Sequence, residues 1–208
     1  AMRNLFNFYG TASQFGPQPT KTTWETKAQE VKPAVLALYD GPEQIFQNAQ
    51  MLAIMGNPGA GAEFVKTVDA EPTNKKHLLA AIEYFTTGNA TTVDAFSEGI
   101  RMCQLLKQLP DLDDRERLKY IWVEANLYAK RGTKEDWQSL KLLFADNNID
   151  QSAQNAAEYN ILLAVLLLTK SAVTNSERQQ NLTEAFGLVE NGRNAAELVL
   201  GGQVKQLL

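Results

Sequence analysis

Apolar residues recur three and four positions apart over most of this chain, the spacing of one face of an α-helix. At 161–168 the pattern closes into an uninterrupted apolar run, ILLAVLLL. Its approach through Ala153, Ala156 and Ala157, with its leucine and alanine content, predicts a helix over 152–172 rather than a buried strand. A helix apolar on every side needs neighbours on every side, so this segment is expected to be the hub of an all-helical packing. Glu158, Asn160 and Lys170 flank the run. It therefore falls short of the roughly 20 apolar residues that a bilayer crossing requires, and no membrane insertion is expected.

Caps and breakers divide the rest. Thr22-Thr23-Trp24-Glu25 reads as a capping box opening a helix that carries Trp24, Ala28 and Val31 and that Pro33 kinks or restarts. Asp40-Gly41-Pro42-Glu43 starts another, carrying Ile45, Phe46, Ala49 and Leu52 and ending at Gly56-Asn57-Pro58-Gly59. A short helical segment is expected over 62–68. Leu78, Leu79, Ile82 and Phe85 mark a helix over 75–87, closed by Gly88 as a left-handed cap. The next opens at Thr91 to Asp94 and carries Phe96, Ile100, Cys103 and Leu106, until Pro110 stops it. Asp113 to Glu116 cap a helix running through Ile121, Trp122, Ala125 and Tyr128 to Gly132, and Trp137, Leu140, Leu143 and Phe144 lie on one over 134–146. Beyond the hub, Thr174 to Glu177 start a helix bearing Leu182, Phe186 and Val189 that is expected to end at Asn191-Gly192, with a last one opening at Asn194.

Residues 73–200 thus form three helix pairs, each of about 40 residues, a period belonging to stacked helical hairpins. Ala81-Ile82-Glu83-Tyr84-Phe85-Thr86-Thr87-Gly88 and Ala125-Asn126-Leu127-Tyr128-Ala129-Lys130-Arg131-Gly132 both place a small residue, then an aromatic, then glycine. In this the chain resembles the helical hairpin of the tetratricopeptide repeat. It departs from that repeat in its longer period, in Trp137 near the position of the second helix's small residue, and in lacking a proline to close each unit. The expected fold is all-α, stacked antiparallel hairpins forming an α-solenoid, a superhelix like that of the repeat, or an irregular bundle. Its organisation is a 1–22 arm, N-terminal helices over 23–72, and a hairpin region over 73–208 that shares one domain with them.

Residues 1–22 show neither the helical nor the strand period and mix Gly10, Gly16, Pro17 and Pro19 with polar residues, which predicts an extended arm. Disordered tails are poor in aromatics, so Phe6, Phe8, Tyr9 and Phe15 are expected to lie on a surface: a groove of the same chain, a neighbouring subunit or another protein.

Composition narrows the function classes. With 208 residues, 44% hydrophobic and 21% charged, the chain can bury a sizeable core. Its net charge of -4 disfavours a nucleic-acid binder, which usually carries a basic face. Lys119, Lys130, Arg131 and Lys134 make a candidate basic contact face, but Glu116, Glu124, Glu135 and Asp136 interleave with them. The single Cys103 leaves no internal disulfide, and the first residues show no secretory signal; together these favour a cytoplasmic, soluble protein.

Catalytic and ligand motifs fare poorly. His77 is the sole histidine, and Cys103 sits on an apolar face with Ile100 and Leu106, so neither zinc ligation nor a Cys-His pair is marked. Gly56 to Gly61 is followed by Ala62-Glu63, where a phosphate loop needs lysine and a hydroxyl. Asp111 to Glu116 lacks both the glycine and the terminal acid of a calcium loop. The expectation is a non-enzymatic interaction or scaffold module with no cofactor, which binds a peptide or a partner subunit. The alternatives are an assembly subunit of viral or filament type that contacts its neighbour through the arm, and, third, a nucleic-acid-binding helical domain.

Overall fold

The computed structural model describes residues 1–17, 20–88, 91–149, 160–165, 167–168 and 174–207, the last ten of these as backbone. Among them every regular element is a helix. The chain divides into two compact units, Ala1–Leu112 and Asp113–Leu208.

The first unit holds α1 (Met2–Phe15), α2 (Thr20–Leu36), α3 (Gly41–Ile54), α4 (Ala60–Ala70), α5 (Lys75–Thr86) and α6 (Val93–Lys107). Sequential neighbours pair, α1 on α2, α3 on α4 and α5 on α6, and α1 also rests on α3. The expected extended arm is corrected here: α1 is a helix of 14 residues. Its buried stripe is Phe6, Gly10 and Ser13, spaced by four and three, so two of its three inward positions have no apolar side chain to betray the period. Gly10 is an interior packing position, not a break. The breakers that act are Gly16, whose N–H donates to the Ala12 carbonyl at 2.8 Å, and Pro17 after it.

α2 begins at Thr20 and runs unbroken past Pro33 to Leu36. α4 starts at Ala60, on the first turn after Asn57 Oδ1 accepts the Gly59 N–H at 2.8 Å. Elsewhere the capping chemistry stands where the sequence places it. Thr92 Oγ1 accepts the Ala95 N–H at 3.2 Å, and Gly88 takes φ +89°, which glycine adopts without penalty. Phe6, Ala28, Val35 and Met51 form a core against which Tyr9, Val31, Ile54 and Met55 pack. Across α3 to α5 a file of rings continues it, Phe46 to Phe64 at 6.4 Å between centroids and Phe64 to Tyr84 at 5.1 Å.

The second unit holds α7 (Asp114–Arg131), α8 (Asp136–Asp146), a helical segment α9 described at 160–165 and 167–168, and α10 (Asn175–Leu207). Asp113 Oδ1 accepts the Glu116 N–H at 2.7 Å to cap α7, and Gly132 ends it at φ +62°. Trp122 of α7 meets Phe144 of α8 at 4.9 Å. The two helices expected on either side of Asn191-Gly192 are one, α10. An interior glycine costs a helix only about 1 kcal/mol, too little to end it when nothing beyond competes.

The hub expectation needs correction on one point. Its lead-in, 152–159, and its close, 169–172, lie outside the described residues. Leu162, Leu163, Ala164 and Leu167 are buried, the last two against Ala185 of α10, with Trp137 and Leu188 beside them. Ile161, Val165 and Leu168, spaced by four and three on one stripe, stand about half exposed. α9 is covered on part of its circumference, not all of it. Among the described residues no helix is long and apolar enough to cross a membrane.

Candidate functional site

The helical period of α1 separates its four aromatics. Phe6 points into the core and is wholly buried, so it serves the fold. Tyr9 sits at the boundary, stacked on Trp24 of α2 at 5.7 Å with the planes 20° apart. Phe8 meets the same indole edge-on at 5.7 Å, and Lys27 Nζ lies 4.8 Å from the Trp24 ring centre, within cation–π range. Three rings and one ammonium thus form a single wall.

From that wall the apolar surface runs outward along α1. Phe8 is 59% exposed and Phe15 is 77% exposed. Leu5, Phe8, Ala12 and Phe15 follow one another at intervals of three, four and three, which puts all four on one stripe opposite the buried one. A shallow depression lined by Asn7, Phe8, Thr11, Ala12, Phe15 and Gly16 lies along this face. No carboxylate lines it. An apolar strip of this kind, bordered by the Lys27 ammonium and lined by no carboxylate, can take apolar side chains from a partner helix, the helix-against-helix mode of recognition.

Of the sequence-derived contact residues, Phe8 and Phe15 are on this surface and Phe6 and Tyr9 are behind it. Sequence reasoning missed Leu5, Trp24 and Lys27. The sequence marks Trp24 only as part of a capping box and of the helix it opens, and Gly10 hides the signal for its role, a helical α1 that brings Phe8 and Tyr9 beside it.

The candidate basic face is not uniform. Lys119, Lys130 and Lys134 are exposed. Arg131 is turned onto Asp136, which is wholly buried: Arg131 Nε lies 3.1 Å from each carboxylate oxygen, and the Thr133 N–H donates to Oδ2 at 2.8 Å. That pair locks the α7–α8 turn and raises the Arg131 pKa further through the hydrogen bonds to Asp136. Beside it, burial together with the Glu124 carboxylate pushes the Tyr128 hydroxyl up to about 12. Arg131 is a structural ion-pair partner and leaves Lys119, Lys130 and Lys134 as the outward cations.

His77 is buried between two acids. Its Nε2 lies 3.4 Å from Glu43 Oε2 and its Nδ1 3.2 Å from Glu71 Oε2, on opposite sides of a ring that rests 4.5 Å from Phe46. The Nε2 contact with Glu43 joins α5 to α3, whereas Nδ1, though close to Glu71, makes no hydrogen bond among the described residues. Cys103 is buried. No protein-family model, no curated protein and no solved structure matches the chain.

Proposed function

We propose that this chain is a non-enzymatic interaction module of stacked helical hairpins, and that it receives a short amphipathic helix of another protein along the outward face of α1. The observation that supports this reading is the Leu5-Phe8-Ala12-Phe15 stripe, with Leu5, Phe8 and Phe15 exposed, on a helix whose other side is anchored in the core.

The occupant follows from area. At 59% and 77% exposure, two phenylalanines of roughly 200 Å² each leave about 270 Å² of ring in water. Adding Met2 and Leu5 still keeps the strip well below the roughly 800 Å² per partner of a standard stable interface. A strip this small suits a short helix anchored by two or three side chains better than two copies of the chain held together at α1 alone.

The test is selection of helical peptides on the immobilised chain from a displayed library. Peptides with apolar residues at i, i+4 and i+7 should emerge, and their affinity should fall at least tenfold on the F8A/F15A variant while its helical circular dichroism is unchanged. Binding that survives in that variant overturns the reading. So does concentration-dependent dimerisation, seen by light scattering and lost in F8A/F15A, which would identify the assembly role instead.

A further inference from the structure

A second feature of the first unit lies on the opposite flank of α1 and owes nothing to the apolar strip. Residues from α1, α3, α4 and α5 line an open cleft of about 320 Å³. That is near the lower end of ligand sites, which run from roughly 300 to 1,000 Å³, and it suits a molecule of amino-acid size. Ile54 and Phe64 supply apolar wall, and Arg3, Gln50, Glu83 and Tyr84 supply polar groups.

The charges carry the argument. Arg3 is held in place by two neutral acceptors, donating from Nη2 to Gln50 Oε1 at 3.0 Å and from Nη1 to Gln47 Oε1. Those carboxamides fix the guanidinium without neutralising it, and Gln47 is itself steadied by donating to Glu43 at 2.7 Å. Glu83, one turn before Thr87 on the far wall, makes no ion pair among the described residues. One cleft therefore presents an oriented, uncompensated cation and an uncompensated carboxylate, with hydrophobic surface between them. Guanidinium is matched to a carboxylate in a two-pronged geometry, and a carboxylate to an ammonium.

We infer that this cleft binds a free α-amino acid with an apolar side chain. Arg3 takes the α-carboxylate, Glu83 takes the α-ammonium, and the side chain lies against Ile54 and Phe64. The site shares no side chain with the docking strip on α1, so it stands or falls separately.

Isothermal titration of the full chain with L-leucine and L-phenylalanine tests the assignment, with N-acetyl-leucine and leucinamide as the analogues lacking one charge each. Leucine should bind, and R3Q and E83Q should each weaken it tenfold or more. Leucinamide should be indifferent to R3Q, and N-acetyl-leucine to E83Q. E83Q alters an exposed side chain and keeps the test sound if R3Q loosens α1. Three results overturn the proposal: no binding of either amino acid at millimolar concentration, binding unchanged in both variants, or N-acetyl-leucine binding as tightly as leucine, which would mark an anion site.

Discussion

Gly10 of α1 lies against Ile54 of α3 so closely that a Cβ added to the glycine would stand 2.7 Å from Ile54 Cγ2. The contacted methyl sits on a branched Cβ near the backbone and has little freedom to swing away. Two effects compete in Gly10→Ala: better helix propensity, about 1 kcal/mol in favour, and a forced separation of two packed helices costing about 1–3 kcal/mol. We expect the clash to win, with a lower urea midpoint for G10A and partial recovery when Ile54→Ala is added. A G10A protein more stable than the parent would show that α1 does not rest on α3 as described.

Phe6 and Phe15 should separate fold from function. Phe6→Ala empties a buried ring site and is expected to cost about 3–5 kcal/mol in denaturant unfolding. Phe15→Ala touches a largely exposed ring and should stay within about 0.5 kcal/mol of the parent. Equal losses from the two would mean that the outward face of α1 is covered.

Asp136→Ala should be the most damaging single change in the second unit. It removes the carboxylate to which Arg131 Nε donates and the acceptor of the Thr133 N–H in the turn before α8, and breaking such a pair costs about 3–5 kcal/mol. Unfolding of an Asp113–Leu208 probe, for instance Trp122 and Trp137 fluorescence, reads the loss; a change below about 1 kcal/mol would show the pair to be dispensable.

Acid should weaken the first unit through two glutamates. Burial works against ionisation of Glu43, but hydrogen bonds from Gln47, Lys76 and His77 outweigh it and hold its pKa below the ordinary 4.5. Glu63 is held below the same value, first by the hydrogen bond from Lys66. A carboxyl whose folded pKa is depressed adds stability that is complete above its unfolded pKa and disappears as pH falls through the folded one. Melting temperature is therefore expected to drop from about pH 4.5 downward, and to drop less steeply in E43Q/E63Q. Parallel acid limbs for parent and variant would count against these contacts.

What the sequence discloses is the chemistry confined to a few neighbouring residues. The caps at Thr92 and Asp113 and the glycines at 88 and 132 are side-chain-to-backbone or φ-dependent devices, and each is legible without knowing what packs where. α1 was not legible, because Gly10 and Ser13 occupy its inward stripe and silence the hydrophobic period. The exposure of Ile161, Val165 and Leu168 was hidden for a different reason. An all-apolar run encodes a helix but not which of its sides finds a neighbour, a property fixed only by other segments. The apolar strip of α1 is half legible: aromatic content draws attention to Phe8 and Phe15, whereas Trp24 and Lys27 join them only through tertiary pairing of α1 with α2.

Gly61, the second residue of α4, lies in the stretch that superficially resembles a phosphate loop, and a Cβ there would stand 3.3 Å from Tyr84 Cε1 and 3.5 Å from Phe85 Cε1. Tyr84 is also part of the wall of the Arg3 cleft. A larger residue at 61 would therefore press on the Tyr84 ring, and so reach the lining of that cleft through a position that does not itself line it.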